Sequence, residues 1–352
     1  MKPMQTLIGI FLRGLIRLKN TIFAHPRLAR LYYQLANKEH FVSLALHERM
    51  LADQVRVGTY AEAIAKYVTA RDVVFDLGTG TGILSFLAAA RGAKKIYAID
   101  HAEIIETAKA VAAHNGFTNI TFIKALAQTV TLPEQVDVLV QEQMGSWLFN
   151  ENMLESVLLV RDRWLKAGGR ILPARFELWL APVQLKDEYR VPFLWEQRFD
   201  AISFEQLQAL KDQVGAEHFQ VTIKPYEVAR FLCPPQALLQ FNLETLRPNE
   251  LPTTLQYRGE VTTAGRLDGF CLYFKAMFDE EIFFTTSPLP ETHAHTCWSV
   301  PLYRVEATPQ QPGDRLEFTL QMPELRNQKT WQWRYQHFPA ATSRSSEAAA
   351  RS

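Results

Sequence analysis

The segment Val73-Val74-Phe75-Asp76-Leu77-Gly78-Thr79-Gly80-Thr81-Gly82-Ile83-Leu84 constrains the fold of this chain more than any other. An apolar run of strand length ends in an acid, turns on three alternating glycines and enters an apolar helix. Glycine is needed where a backbone must turn sharply and let a ligand approach closely. The flanking sequence keeps the same rhythm. It predicts a strand over 73–76, a helix over 83–91, a strand over 95–100 and a helix over 102–115. Strands over 120–124 and 136–140 follow, then a helix over 152–165 stopped by Ala167-Gly168-Gly169. This alternation predicts an α/β fold with a Rossmann-like doubly wound parallel sheet.

After Pro173 the pattern changes to short alternating segments: 177–180, 220–223, 238–243, 254–260, 269–276, 281–285, 298–305, 315–320 and 330–335. They predict antiparallel strands of a β-barrel-like domain or sandwich. The stretch 195–212 reads as helical and predicts an arm able to reach another subunit. With 352 residues the chain exceeds one ordinary core. The expected organisation is a helical segment over 1–46, a ligand-binding domain over 47–173, a β-barrel substrate domain over 174–340 and a small, polar, disordered tail over 341–352.

Leu7, Ile8, Phe11, Leu15, Leu18 and Ile22 fall on one helical face, but Arg13 interrupts an apolar run too short to span a bilayer. The expectation is a helix that packs on the body of the protein or on a second copy, with membrane-surface contact as the alternative. A net charge of +1 gives no global field to draw in nucleic acid. Arg161, Arg163 and Lys166 suit the dipole at a helix C-terminus rather than forming a nucleic-acid patch. Cys233, Cys271 and Cys297 include no C-x-x-C pair, which argues against a metal site and for a reducing, cytoplasmic location.

The glycine spacing is G-x-G-x-G, unlike the G-x-G-x-x-G of dinucleotide enzymes. A phosphate is therefore not its evident target. S-adenosylmethionine has none, and its amino-acid end can sit against such a loop, with Asp76 attracting its ammonium directly or through water. Asp100 follows Gly82 by 18 residues, the span of one strand-helix-strand unit, and an acid there can accept bonds from both ribose hydroxyls. On these residues alone, a nucleotide- or NAD-binding domain and a mere tight turn stay open.

Further motifs narrow the choice. They are His47-Glu48-Arg49-Met50-Leu51, Val55-Arg56, Glu142-Gln143-Met144-Gly145 running through Asn150-Glu151-Asn152-Met153-Leu154, 165–173, and 283–298 ending in Thr296-Cys297-Trp298. With the glycine loop, they resemble the protein arginine N-methyltransferases from about His47 to about Tyr335. The resemblance implies an S-adenosylmethionine cofactor, an arginine-containing protein or peptide acceptor, and a head-to-tail homodimer made by the arm. It implies that Arg56 binds the carboxylate of the methionine part, that Asp100 holds the ribose, and that Gln128 stands at the adenine amine, where the family usually has an acid. His47 would lie at the pocket or cap a helix. Glu142 and Glu151 would clamp the guanidinium, with Met50, Met153, Cys297 and Trp298 around the acceptor. The sequence departs from the family at Asn37 and Phe41, at Gln143 and Ser146, and at Cys297, which replaces a histidine, with His293 and His295 nearby. Cys297 reads as a small apolar substitute rather than a nucleophile.

Two glutamates suit this chemistry for a physical reason. A guanidinium stays protonated and the methyl donor is also a cation, so their approach in a dry pocket is unfavourable. Carboxylates offset that charge and take fork-like hydrogen bonds from the guanidinium plane. Without an acceptor the two should repel, raising one pKa. Taken separately, Glu142 could be a strand-end surface acid and Glu151 a favourable acid in a helix's first turn. Two other functions fit the same scaffold: N-methylation of a small molecule or natural product, and non-catalytic cofactor binding.

Overall fold

A computed structural model of the chain describes residues 44–340 apart from Asn150, Pro248, Thr292 and His293. The expected N-terminal helix, Asn37, Phe41 and the expected C-terminal tail lie outside the described residues.

Two helices, α1 (Leu44–Ala52) and α2 (Gln54–Tyr67), precede an alternating unit. It runs β1 (Val73–Leu77), α3 (Ile83–Ala90), β2 (Lys95–Asp100), α4 (Ile104–His114), β3 (Ile120–Lys124), β4 (Val136–Gln141), α5 (Met153–Trp164) and β5 (Leu165–Leu172). The strands form one parallel sheet in the order β3-β2-β1-β4-β5. All five residues of β1 are buried, which is why the strand reads as an unbroken apolar run with one acid. The strand order reverses at β1, and open parallel sheets bind ligands beyond the carboxyl ends of their strands at such a point.

One expectation is corrected. The glycines after α5 do not merely stop a helix; they lie inside β5, which pairs with β4 across a register shift between Val136 and Val138. Gly168 has φ +76, and a Cβ on Gly169 would stand 2.7 Å from Leu165 Cδ1, so both positions are glycine because the strand is irregular there.

The second domain starts with β6 (Arg175–Leu185), followed by β7 (Arg198–Phe199), β8 (Ile202–Ser203), β9 (Gln220–Ile223) and β10 (Val228–Phe231). Next come β11 (Gln236–Asn242), β12 (Thr254–Glu260), β13 (Gly265–Met277), β14 (Phe283–Thr285), β15 (Val300–Gln310), β16 (Arg315–Gln321) and β17 (Gln332–Phe338). An antiparallel sheet runs β10-β6-β13-β15-β9, and β12-β16-β17 form another. One core extends from β1 and β4 through Phe176, Phe274 and Trp298 to Phe318 and Trp331. The two domains are thus packed as a unit beside the carboxyl ends of the parallel strands.

The arm expected as one helix over 195–212 is instead a 3₁₀ turn (Leu194–Glu196), the hairpin β7–β8 and a 3₁₀ helix (Glu205–Gln213). Asp200, with φ +51, turns the hairpin and interrupts any helical path. Phe199 and Ile202 on this arm are 58% and 64% exposed, unusual for residues of their size. Among the described residues no helix is long and apolar enough to cross a membrane.

Candidate active site

The glycine loop is held from beneath and from above. Gly78, Gly80 and Gly82 all have positive φ. The amides of Gly78 and Thr79 donate to the carbonyl of Ile99 at 2.9 Å, and Gly80 N donates to Asp100 Oδ2 at 2.9 Å. Any side chain here meets an obstacle: a Cβ on Gly80 would lie 3.0 Å from His47 Cε1, and one on Gly82 would lie 2.4 Å from Phe86 Cζ. His47, buried on α1, therefore covers the loop rather than capping a helix.

Asp76 ties the loop to the helix that follows it. Its Oδ2 accepts from Thr79 Oγ1 and Ser85 Oγ at 2.7 Å each and from Ser85 N at 3.1 Å. It is buried under the loop and does not line the cavity above it. Burial pushes its carboxyl up to about 6, against the pull of the Ser85 and Thr79 hydroxyls. Asp76 is thus a brace between loop and helix through Oδ2, while its buried Oδ1 has no hydrogen-bond partner among the described residues and keeps acceptor capacity.

Asp100 stands at the rim of the cavity. Oδ2 accepts from Gly80 N and Oδ1 from Ala102 N at 2.8 Å, leaving each oxygen acceptor capacity for a ribose hydroxyl. The cavity is lined by His47, Met50, Arg56, the glycine loop, His101, Gln128, Glu142 and Glu151, and encloses about 1180 Å³, part of it open to solvent. Three buried polar atoms on lining residues make no hydrogen bond: His101 Nε2, Gln128 Oε1 and Gln143 Oε1. Buried polar groups in folded proteins are nearly always paired, so unpaired ones in a cavity call for a polar ligand. Gln128 Oε1 suits an amine donor such as that of adenine. Among the described lining residues Arg56 is the one arginine or lysine, which suits a nucleoside with a single carboxylate better than a pyrophosphate. These residues fit S-adenosylmethionine.

The two glutamates flank a loop tied down at both ends. Gln141, fully buried at the end of β4, accepts Gln143 N at Oε1 (3.1 Å), donates from Nε2 to Pro173 O (3.4 Å), and its carbonyl accepts Tyr60 Oη (2.7 Å). These bonds fix the backbone on both sides of Glu142. The chain then reverses at Gly145–Leu148, with Leu148 at φ +65, and sinks Leu148 and Phe149 into the core. Asn152, at φ +56, starts α5 directly after Glu151. Glu142 and Glu151 consequently border both the cofactor cavity and a second cleft, as do Met50 and Arg56.

The electrostatics follow from this enclosure. Burial raises Glu142 to about 7, opposed by Arg56, whose Nη2 lies 3.3 Å from Glu142 Oε2. Burial and then the neighbouring Glu142 raise Glu151 to about 8. The expected repulsion thus acts on Glu151, while Glu142 is raised by burial and by Asp53. Arg56 is itself buried, donates from Nη1 to Met50 O at 3.4 Å, and lies 5.8 Å from the Trp298 ring.

The second cleft brings in the other domain. Asp53 caps α2 by accepting Arg56 N at Oδ1 (2.9 Å), and its Oδ2 accepts Cys297 N at 2.7 Å. Trp298 Nε1 donates to Met144 O at 2.7 Å. The segment Thr296-Cys297-Trp298 is thereby latched to α2 and to the glutamate loop. The Cys297 thiol is raised to about 11 by burial and by Asp53, so it stays protonated and is no nucleophile. Met153 is corrected: it is fully buried in the core and lines neither cavity. Its spacing with Val157 and Val160, an i, i+4, i+7 stripe, was the signal for core packing. Sequence reasoning missed Asp53, Gln141 and His101. Of these, Asp53 alone carried a local sign, an acid immediately before a helix.

Comparison with known proteins agrees with this geometry. Residues 60–153 match the family of the ribosomal protein L11 methyltransferase, and residues 174–334 match the arginine methyltransferase oligomerization subdomain. Protein arginine N-methyltransferase 6 of Danio rerio is 32% identical over 276 residues, covering 72% of this chain and 76% of that protein. The probable protein arginine N-methyltransferase 6 of Arabidopsis thaliana is also 32% identical, and the match spans 70% of this chain but 57% of its length. Among solved structures, the Trypanosoma brucei PRMT1 enzyme-prozyme heterotetrameric complex with AdoHcy superposes with a TM-score of 0.70 at 24% identity, covering 86% of this chain and 95% of that one. A parallel sheet with a latched β domain, a cavity whose lining fits S-adenosylmethionine and relatives of this kind lead to one conclusion: the chain belongs to the protein arginine N-methyltransferase family of S-adenosylmethionine-dependent methyltransferases.

Proposed function

We propose that this chain transfers a methyl group to a guanidinium nitrogen of arginine in a protein or peptide, with Glu142 and Glu151 holding the guanidinium. One observation carries the reading: both carboxylates stand where the cofactor cavity and the acceptor cleft meet, on a loop whose ends are fixed. Asp100, Gln128, His101, Gln143 and Arg56 are the residues that would hold S-adenosylmethionine. When bound, it supplies a methyl group on a cationic sulfonium.

The protein's part is charge and position. A guanidinium entering from the acceptor cleft brings a permanent positive charge, which favours the ionised form of both glutamates. Their oxygens can accept its N–H bonds and fix its plane, leaving the remaining nitrogen aimed at the cofactor cavity. Positioning of this kind is worth roughly 7–11 kcal/mol of a bimolecular barrier. As the new N–C bond forms, the attacking nitrogen must lose one proton. The carboxylates of Glu142 and Glu151, held ionised beside the guanidinium, are the groups placed to take it.

The exposed Phe199 and Ile202 on the arm, with the match to an oligomerization subdomain, support a homodimer through that arm. Three free cysteines support a reducing, cytoplasmic setting. The test is methyl transfer from labelled S-adenosylmethionine to arginine-containing peptides and to their lysine counterparts. Labelling of the arginine peptides alone is expected. Labelling of small guanidines or amines, with no peptide labelled, would overturn the protein-acceptor reading.

A further inference from the structure

The acceptor cleft has an acidic floor and a basic rim. Its carboxylates are Asp53, Glu142 and Glu151. Asp53 is committed to the Arg56 and Cys297 amides, and the two glutamates lie at the inner end, bordering the cofactor cavity. Among the described residues, the exposed charged side chains lining the cleft are Arg49, from α1, and Lys224, which precedes the 3₁₀ turn Pro225–Glu227. Arg49 and Lys224 form no ion pair among the described residues. Lys224 Nζ reaches only Ser299 Oγ, at 3.2 Å, while the Glu227 carboxylate caps the Lys224 amide. Thr296, 6% exposed, also lines the cleft, and its hydroxyl has no hydrogen-bond partner among the described residues.

A cation must therefore pass two unneutralised cations to reach two buried acids. An acceptor whose only charges are positive is repelled at the rim. One that carries carboxylates beside its arginine is attracted at both ends. The cleft encloses about 2340 Å³ against about 1180 Å³ for the cofactor cavity, part of each open to solvent, which suits a peptide segment rather than a small guanidine. Resting on the arginine reading above, we infer that the acceptor is an arginine flanked by acidic residues, and that Arg49 and Lys224 select it. Exposed ion pairs contribute modestly and are screened by salt, so the two together should change kcat/KM by about three- to tenfold at low ionic strength.

The experiment uses three peptides that differ only beside the arginine, which is flanked by glutamate, glycine or lysine. The glutamate peptide should be methylated best and the lysine peptide worst. The order should narrow at high salt, and it should invert in the Arg49→Glu/Lys224→Glu variant, which keeps its activity on the glycine peptide. Equal kcat/KM for all three, a preference for lysine flanks, or an order unchanged by both salt and the variant would overturn this inference and leave the arginine reading intact. Failure to methylate any of the three, with cofactor still bound, would overturn both.

Discussion

Replacing Glu151 by Gln should stabilise the free protein at alkaline pH while disabling it. In the folded chain burial and Glu142 raise the Glu151 carboxyl from 4.5 to about 8. Between those values the folded form binds more protons than the unfolded form, so stability falls as pH rises through the window and the loss is complete above about 8. A shift of that size corresponds to about 5 kcal/mol at 1.36 kcal/mol per unit. Glu151 keeps some contact with solvent and shares its strain with Glu142, so about 2–3 kcal/mol is the expected net cost. Glutamine is uncharged at every pH and removes that cost. Thermal or denaturant unfolding of both proteins, without acceptor, should coincide near pH 5 and diverge by about 2–3 kcal/mol at pH 9, the variant being the more stable. Equal stability across the range, or a variant weaker at pH 9 than at pH 5 relative to the parent, would refute the claim that this carboxyl is buried against its ionisation.

Gly82→Ala places a Cβ 2.4 Å from Phe86 Cζ at φ +94, so it should cost about 2 kcal/mol in denaturant unfolding and at least about tenfold in cofactor affinity by calorimetry. Asp53→Ala removes both the cap of α2 and the tie to Cys297 N, each worth about 1 kcal/mol. It should raise KM for an arginine peptide while leaving cofactor affinity within about twofold. Asp268, 4% exposed, joins Arg190, Arg266 and the Leu185 amide, so Asp268→Ala should lower unfolding stability by about 3 kcal/mol without changing cofactor affinity in the surviving folded protein.

The parallel sheet was legible because β1 and β4 are short apolar runs and the helices between them end at glycine or polar residues. β5 escaped because Lys166-Ala167-Gly168-Gly169-Arg170 lacks the β-branched residues of a strand; it is held by pairing with β4 and not by local preference. The arm escaped for the opposite reason. Its segment contains good helix formers, but Asp200 turns the chain, and the residues on either side of it pair as a hairpin. In the site, the residues that line the cofactor cavity were visible as motifs: Gly78, Gly80, Asp100, Glu142 and Glu151. The residues that hold those in place were not. Gln141 and Tyr60 act on Glu142 through backbone atoms, and Tyr60 Oη meets a carbonyl 81 positions away in sequence. Met153 was misplaced for a related cause: a motif says that a residue is needed near a ligand, but not which layer it occupies.

The most direct test of the two-glutamate account compares Glu142→Gln and Glu151→Gln with the parent in two assays. The first is turnover of an arginine peptide, and the second is equilibrium binding of S-adenosylhomocysteine. Both variants should lose turnover by at least about a hundredfold, the scale seen when a positioned charge is removed from a reaction centre, while keeping cofactor affinity within about threefold. Full turnover in either variant would contradict the account, as would a loss of turnover that merely follows a loss of cofactor binding.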